Sequence, residues 1–169
     1  MLACMGYCNA TTIYARAASV RTECRNRGEC LMMFEAAGAA ELFLLARILF
    51  GGVLAFTGLN HFMDTDSMAG YAEFKGLPAP RASVLLSGGL LIFGGLSLVA
   101  GIYPTIGAGA LAVFLLASGI AMHDFWAVDE EDAQTEMTQF LKNVYGTGAA
   151  VAFLIVATVP WPYALNIGL

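Results

Sequence analysis

ASVLLSGGLLIFGGLSLVAGIYPTIGAGALAVFLLASGIAM, residues 82–122, decides the fold. These 41 consecutive residues carry no formal charge. A hydrocarbon core about 30 Å thick takes roughly 20 apolar residues per helical crossing, so the run is twice too long for one passage. It breaks at Gly101-Ile102-Tyr103-Pro104-Thr105, where proline lacks the N–H that a continuing helix needs. The run therefore predicts a hairpin of two membrane helices, over about 82–101 and 105–123.

Two further spans flank that hairpin. Residues 41–61 hold Arg47 as their only interior charge, and 21 residues at 1.5 Å each reach about 31 Å. Residues 140–159 form the last span, closed by Pro160-Trp161-Pro162-Tyr163, with the amphipathic aromatics favoured at a membrane interface. Composition agrees: 59% of the 169 residues are hydrophobic and 12% charged, against roughly 25% charged in a soluble domain. Between the first two spans, Met68, Tyr71, Phe74 and Leu77 recur at three- and four-residue gaps before Gly76 and Pro78. That spacing predicts a short amphipathic helix in the interface. The expected class is all-α: an integral membrane four-helix bundle plus this short interfacial helix, multi-pass in the cell membrane with lipid as its first partner. Net charge is −5 with no basic stripe, which excludes a nucleic-acid partner.

The domain is expected to occupy residues 33–169. Residues 1–32 hold all four cysteines and four of the six arginines without a sustained period; they are expected to be an unstructured or mis-started extension ahead of Met32 and Met33. Their C-x3-C and C-x5-C gaps do not suit zinc, which prefers C-x2-C pairs.

An even number of crossings places both termini on one side, here called A. Side B then collects the ends of spans one and three and the starts of spans two and four. It gathers Asn60, His61, His123, Asp124, Trp126, Lys142 and Asn143, a polar mouth for a substrate or quinone, with the acids 129–132 and 136 in a loop across it. Asp124 is expected to meet Lys142 or Asn143, because a lone carboxylate at the membrane edge is costly. Trp126 is expected to anchor the interface or stack on a ring, and Lys142 to snorkel. Arg47, near side A, is expected to snorkel or to bond lipid phosphate. At 100° per residue Gly51, Leu54, Gly58 and His61 all fall within about 40° of the direction of Arg47, one stripe about 80° wide facing the bundle, whose glycines admit a neighbouring backbone.

In order and spacing, RILFGGVLAFTGLNHF (47–62), YAEFKGLPAP (71–80), SGGLLIFGGLSLVAGIYPTIGAGAL (87–111), HDFW (123–126) and FLKN (140–143) resemble the DoxX family of small four-helix membrane proteins. The resemblance covers about residues 40–160. It implies a compact bundle that serves beside quinone-linked or thiol-related oxidoreductases, with similarity to subunits of thiosulfate:quinone oxidoreductase, and hence a soluble oxidoreductase subunit as partner. Many members look as if they carry an acid in span two, where this chain offers Ser87 and glycines.

Two catalytic schemes fall away on residue types. A thiol oxidoreductase needs cysteines at the bundle mouth, and residues 31–169 contain none. A di-iron bundle needs Glu-x-x-His pairs, also lacking. Quinone is the candidate cofactor; haem is disfavoured because nothing aims two imidazoles at one iron, and no metal site is expected. Two readings stand: the membrane subunit of a quinone-linked redox system, and a non-catalytic scaffold or anchor for a partner protein. A transporter comes third for want of inverted repeats. Catalytic residues, orientation and homo-oligomerisation stay open.

Overall fold

The computed structural model describes residues 34–168; the extension expected over 1–32 lies outside them. Five helices follow one another: α1 Ala39–Met63, α2 Thr65–Phe74, α3 Pro80–Ala100, α4 Pro104–Met122 and α5 Glu130–Val156. α1, α3, α4 and α5 are each long and apolar enough to cross a membrane, and their outward faces carry residues such as Leu86 and Val113, 74% and 71% exposed. Such faces are unfavourable in water and natural in lipid. The four expected spans are present, and a helix occupies the segment between the first two.

The hairpin forms where the sequence breaks. Gly101 adopts the left-handed conformation (φ 67°) that closes a helix end: its N–H and that of Ile102 both bond the Ser97 carbonyl, at 2.9 and 3.1 Å. Pro104 then starts α4, where a missing donor costs nothing. α5 departs from expectation by beginning at Glu130 rather than near Phe140. Its first turn holds Glu130, Glu131 and Asp132, acids that the positive end of the helix dipole stabilises. The anticipated acidic loop is thus largely the water-exposed start of a helix, which hydropathy does not register.

α1 packs on α3, α3 on α4, and α4 on α5. The α1–α3 seam is made of glycines: a Cβ on Gly58 would lie 2.7 Å from the Gly88 carbonyl oxygen, and one on Gly88 would lie 2.7 Å from the Cβ of His61. Ile48–Gly52 forms a π turn within α1; Gly51 belongs to it and abuts the Gly95 backbone. α1 and α5 meet through side chains nearer side A, where the Phe50 and Phe153 rings stack 5.4 Å apart.

The buried core, including Leu98, Leu111, Phe153 and Trp161, fills the side A half, and Arg47 closes it. The expectation that Arg47 snorkels is overturned: it is 0% exposed. Its Nε donates to the Leu98 carbonyl at 2.9 Å and Nη1 to that of Pro162 at 2.8 Å, with Val99 and Tyr163 carbonyls also bonded. Leu98 and Val99 lie in the last turn of α3, whose carbonyls lack helical partners; a cation there also meets the negative end of the dipole. The guanidinium lies 5.1 Å from the Trp161 ring centroid and 5.8 Å from that of Phe43. The C-terminal segment completes the seal, Leu165 N–H bonding the Ala100 carbonyl and Tyr103 N–H that of Ile167.

Candidate functional site

The side B half is hollow. A cavity of about 800 Å³ lies between α1, α3 and α4 under α2, with Asn143 of α5 on its wall. Its floor is aliphatic and aromatic, Leu54, Leu91, Phe114 and Leu115. Polar groups ring the upper part: Thr57 and His61 from α1, Ser87 from α3, Ser118 and His123 around α4. Both histidines line this one cavity. Leu86 contributes to the wall while remaining 74% exposed on the lipid-facing side.

Local sequence positions these groups. His61 follows Gly58 by three residues, so the glycine seam that draws α1 onto α3 also turns the imidazole inward. Its Nδ1 lies 2.9 Å from the Thr57 carbonyl. Asn143 packs its Cβ against Gly119, donates from Nδ2 to the Gln139 carbonyl at 3.0 Å, and accepts the Ser118 hydroxyl at Oδ1, 3.1 Å.

α2 covers the opening, contributing Ser67, Met68, Tyr71 and Ala72 to the lining, and two polar links tie it down. Lys75, whose side chain is 7% exposed, forms an ion pair with Asp124. Tyr71 donates its hydroxyl to Glu136 Oε1 at 2.7 Å, while Glu136 Oε2 accepts from His123 Nδ1 at 2.9 Å. The Lys75 ammonium also lies 5.5 Å from the Tyr71 ring centroid. For Lys75, burial favours the neutral amine, but hydrogen bonding to Asp124 and contact with Tyr71 outweigh it and hold the ammonium above its ordinary range. Asp124 is held below the usual carboxylate range by the Lys75 hydrogen bond, partly opposed by burial. Burial, then the hydrogen bond to Glu136, pushes the Tyr71 phenol up.

The structure thus brings together His61, His123 and Asn143 at the cavity, with Asp124 in the link beside it. Asp124 pairs with Lys75, not with the expected Lys142 or Asn143. Lys142 is exposed and Asn60 half-buried, and neither lines the cavity. Trp126 is 59% exposed and packs on Phe125 and Phe140, with centroids 5.0 and 5.9 Å away, also outside the lining. Tyr71, Lys75 and Glu136 are the additions. The four-residue gap from Tyr71 to Lys75 places both on one face of α2 and was a usable signal. Glu136 became meaningful only once α5 was helical around it.

Residues 42–124 match the family model described as DoxX. This segment belongs to the DoxX family. The matched DoxX segment begins inside α1, takes in α2 to α4 and ends at Asp124, ahead of α5. Together with the four apolar helices it marks a multi-pass integral membrane protein. Comparison with the curated proteins gives no significant match, and comparison with solved structures gives none either.

Proposed function

We propose that this DoxX protein is the membrane subunit of a quinone-linked redox system, holding a quinone in the side B cavity with α2 as an interfacial lid. The cavity carries the reading. Its volume of about 800 Å³ lies within the roughly 300–1,000 Å³ typical of small-molecule sites, and an aliphatic floor beneath a polar ring suits a flat, weakly polar head. The wall at Leu86, a lining residue that is itself 74% exposed on the outside of the bundle, offers a path for an isoprenoid tail. Such sites bind mainly by apolar contact and orient their ligand with a few polar groups, here His61, Asn143 and the serines.

A bound quinone would supply two-electron, two-proton chemistry. The chain's own residues orient the ring, shield it from water and offer His61 beside it as a proton-handling group. α2 limits access while Tyr71 and Lys75 hold it to the 123–136 region. A soluble oxidoreductase partner would deliver electrons from the side B face, where α2 and the exposed start of α5 are presented. A scaffold would not require an open cavity of this kind, and for that reason is the second choice.

Purification in mild detergent followed by lipid extraction and mass spectrometry tests the proposal. A quinone present at near one equivalent, lost in a His61→Ala, His123→Ala double variant that still folds, is the expected outcome. Neither co-purified quinone nor measurable binding of added ubiquinone-1 would sink it.

A further inference from the structure

Most of the hydroxyl protons around the cavity wall are already assigned. The Thr57 hydroxyl donates to the Val53 carbonyl at 2.9 Å, Ser83 to that of Pro78 at 2.8 Å and Ser87 to that of Val84 at 2.8 Å. Ser118 donates to Asn143 Oδ1 and Tyr71 to Glu136. These partners are carbonyl or carboxylate oxygens, which only accept, so the hydroxyls turn lone pairs, not protons, toward the interior. Asn143 has one amide proton fixed on the Gln139 carbonyl, which sets its orientation and leaves one N–H uncommitted. Ser67 has no bonded partner among the described residues.

His61 decides the matter. Its Nδ1 faces the Thr57 carbonyl at 2.9 Å; a carbonyl cannot donate, so Nδ1 bears the proton. In the neutral ring Nε2 is then a bare acceptor. It has no partner among the described residues, although no deeply buried side-chain nitrogen or oxygen there is left unpaired; Nε2 is therefore reachable, on a residue that lines the cavity. His123, with its Nδ1 on Glu136, presents Nε2 in the same way when its ring is neutral; with only one Asn143 N–H and the Ser67 hydroxyl left to donate, the wall offers more acceptors than donors, and a ligand that brings its own hydroxyl is better paired than one that offers only carbonyls.

We infer that the site selects its ligand by a hydroxyl that donates to His61 Nε2, and so takes a phenol or hydroquinone in preference to the corresponding quinone. The inference rests on the quinone-site reading and adds to it which redox form is held. Tighter binding of the reduced form by a factor of ten raises the potential of the bound couple by about 30 mV, since tenfold is 29.6 mV for two electrons.

Anaerobic calorimetric titration of the purified full-length protein in detergent provides the test, with three probes of nearly one shape: tetramethylhydroquinone, tetramethylbenzoquinone and the dimethyl ether of the hydroquinone. The hydroquinone is expected to bind at least tenfold tighter than either of the others. His61→Leu should bring the three within about threefold. Should that variant fail to fold, the wild type labelled with 15N-histidine gives an independent measure, because the chain has only two histidines. His61 should appear as the Nδ1–H tautomer, with its Nε2 resonance moved by hydroquinone and not by quinone. Equal or tighter binding of the quinone, or an Nε2–H tautomer, overturns the inference and leaves the quinone site standing. Binding of none of the probes overturns both.

Discussion

Replacing Arg47 with Met should loosen the side A end of the bundle while sparing the cavity. The side chain fits the same volume but removes every donor. Four carbonyls, Leu98, Val99, Pro162 and Tyr163, lose a charged partner, at about 1.5–3 kcal/mol for each such bond, a gross loss of roughly 6–12 kcal/mol. Two cation–π contacts, with Phe43 and Trp161, add about 1 kcal/mol each. The true loss is smaller, because four bonds made by one guanidinium share a single desolvation cost and do not add in full. Rehydration of the Pro162 and Tyr163 carbonyls on the tail recovers part of the rest. A net loss of about 3–5 kcal/mol remains, at the upper end for a single substitution that breaks a buried hydrogen-bond network. For a chain of this length that corresponds to a fall of roughly 10 °C in Tm. Thermal unfolding in detergent, followed by the fluorescence of Trp161 against the guanidinium, measures it, and limited proteolysis should cut the released segment after Val159. Arg47→Lys should recover about half, since one ammonium cannot reach both the α3 carbonyls and the tail. A Met variant within about 2 °C of wild type, with the tail still protected, would refute the reasoning.

Other outcomes follow from the same geometry. Gly88→Ala forces a methyl to within 2.7 Å of the His61 Cβ, and should cost about 1–3 kcal/mol in thermal unfolding together with a loss of quinone binding; Gly89→Ala, with open space at the Cβ, should be close to neutral. Lys75→Met removes the α2–Asp124 link, so amide exchange across 65–75 should accelerate several-fold in hydrogen–deuterium exchange while α3 and α4 are unchanged. The pH dependence of the wild-type lid has a definite sign. Asp124 has a lowered value when folded, so its contribution is fully present above the ordinary aspartate value of about 3.9 and is lost as pH falls through the folded value. Lys75 has a raised value, so its contribution is complete below about 10.4 and is lost as pH rises through the folded value. Exchange in 65–75, corrected for the intrinsic rate, should therefore be flat between about pH 5 and 9 and rise beyond these limits; a midpoint near neutrality would contradict the assignment of the Lys75–Asp124 pair as the main tie.

The spans were legible because the membrane imposes one simple demand, an uninterrupted apolar stretch of fixed length, and Pro104 and Gly101 punctuate it. The glycine stripe of α1 was also legible, since helical phase alone sets Gly51, Gly58 and His61 on one face. Arg47 was not. A lone arginine within an apolar span has two cheap solutions, snorkelling to lipid or satisfying carbonyls, and the choice depends on a C-terminal segment more than a hundred residues away. Asp124 was misplaced for a similar reason: several cations lie near side B in sequence, and which one reaches it depends on how α2 folds back. The start of α5 escaped notice because its first turns are polar on all sides and lie beyond the hydrocarbon that made the other spans conspicuous.

The plug of Arg47, Trp161 and the returning tail makes the chamber a cul-de-sac. A quinone held there as proposed would come and go only at the side B end, past α2 or past Leu86 toward the bilayer, and successive visitors would alternate at a single berth. A partner working with this protein would then meet it in strict turn-taking, one guest per cycle, with the dwell time of that guest governing throughput.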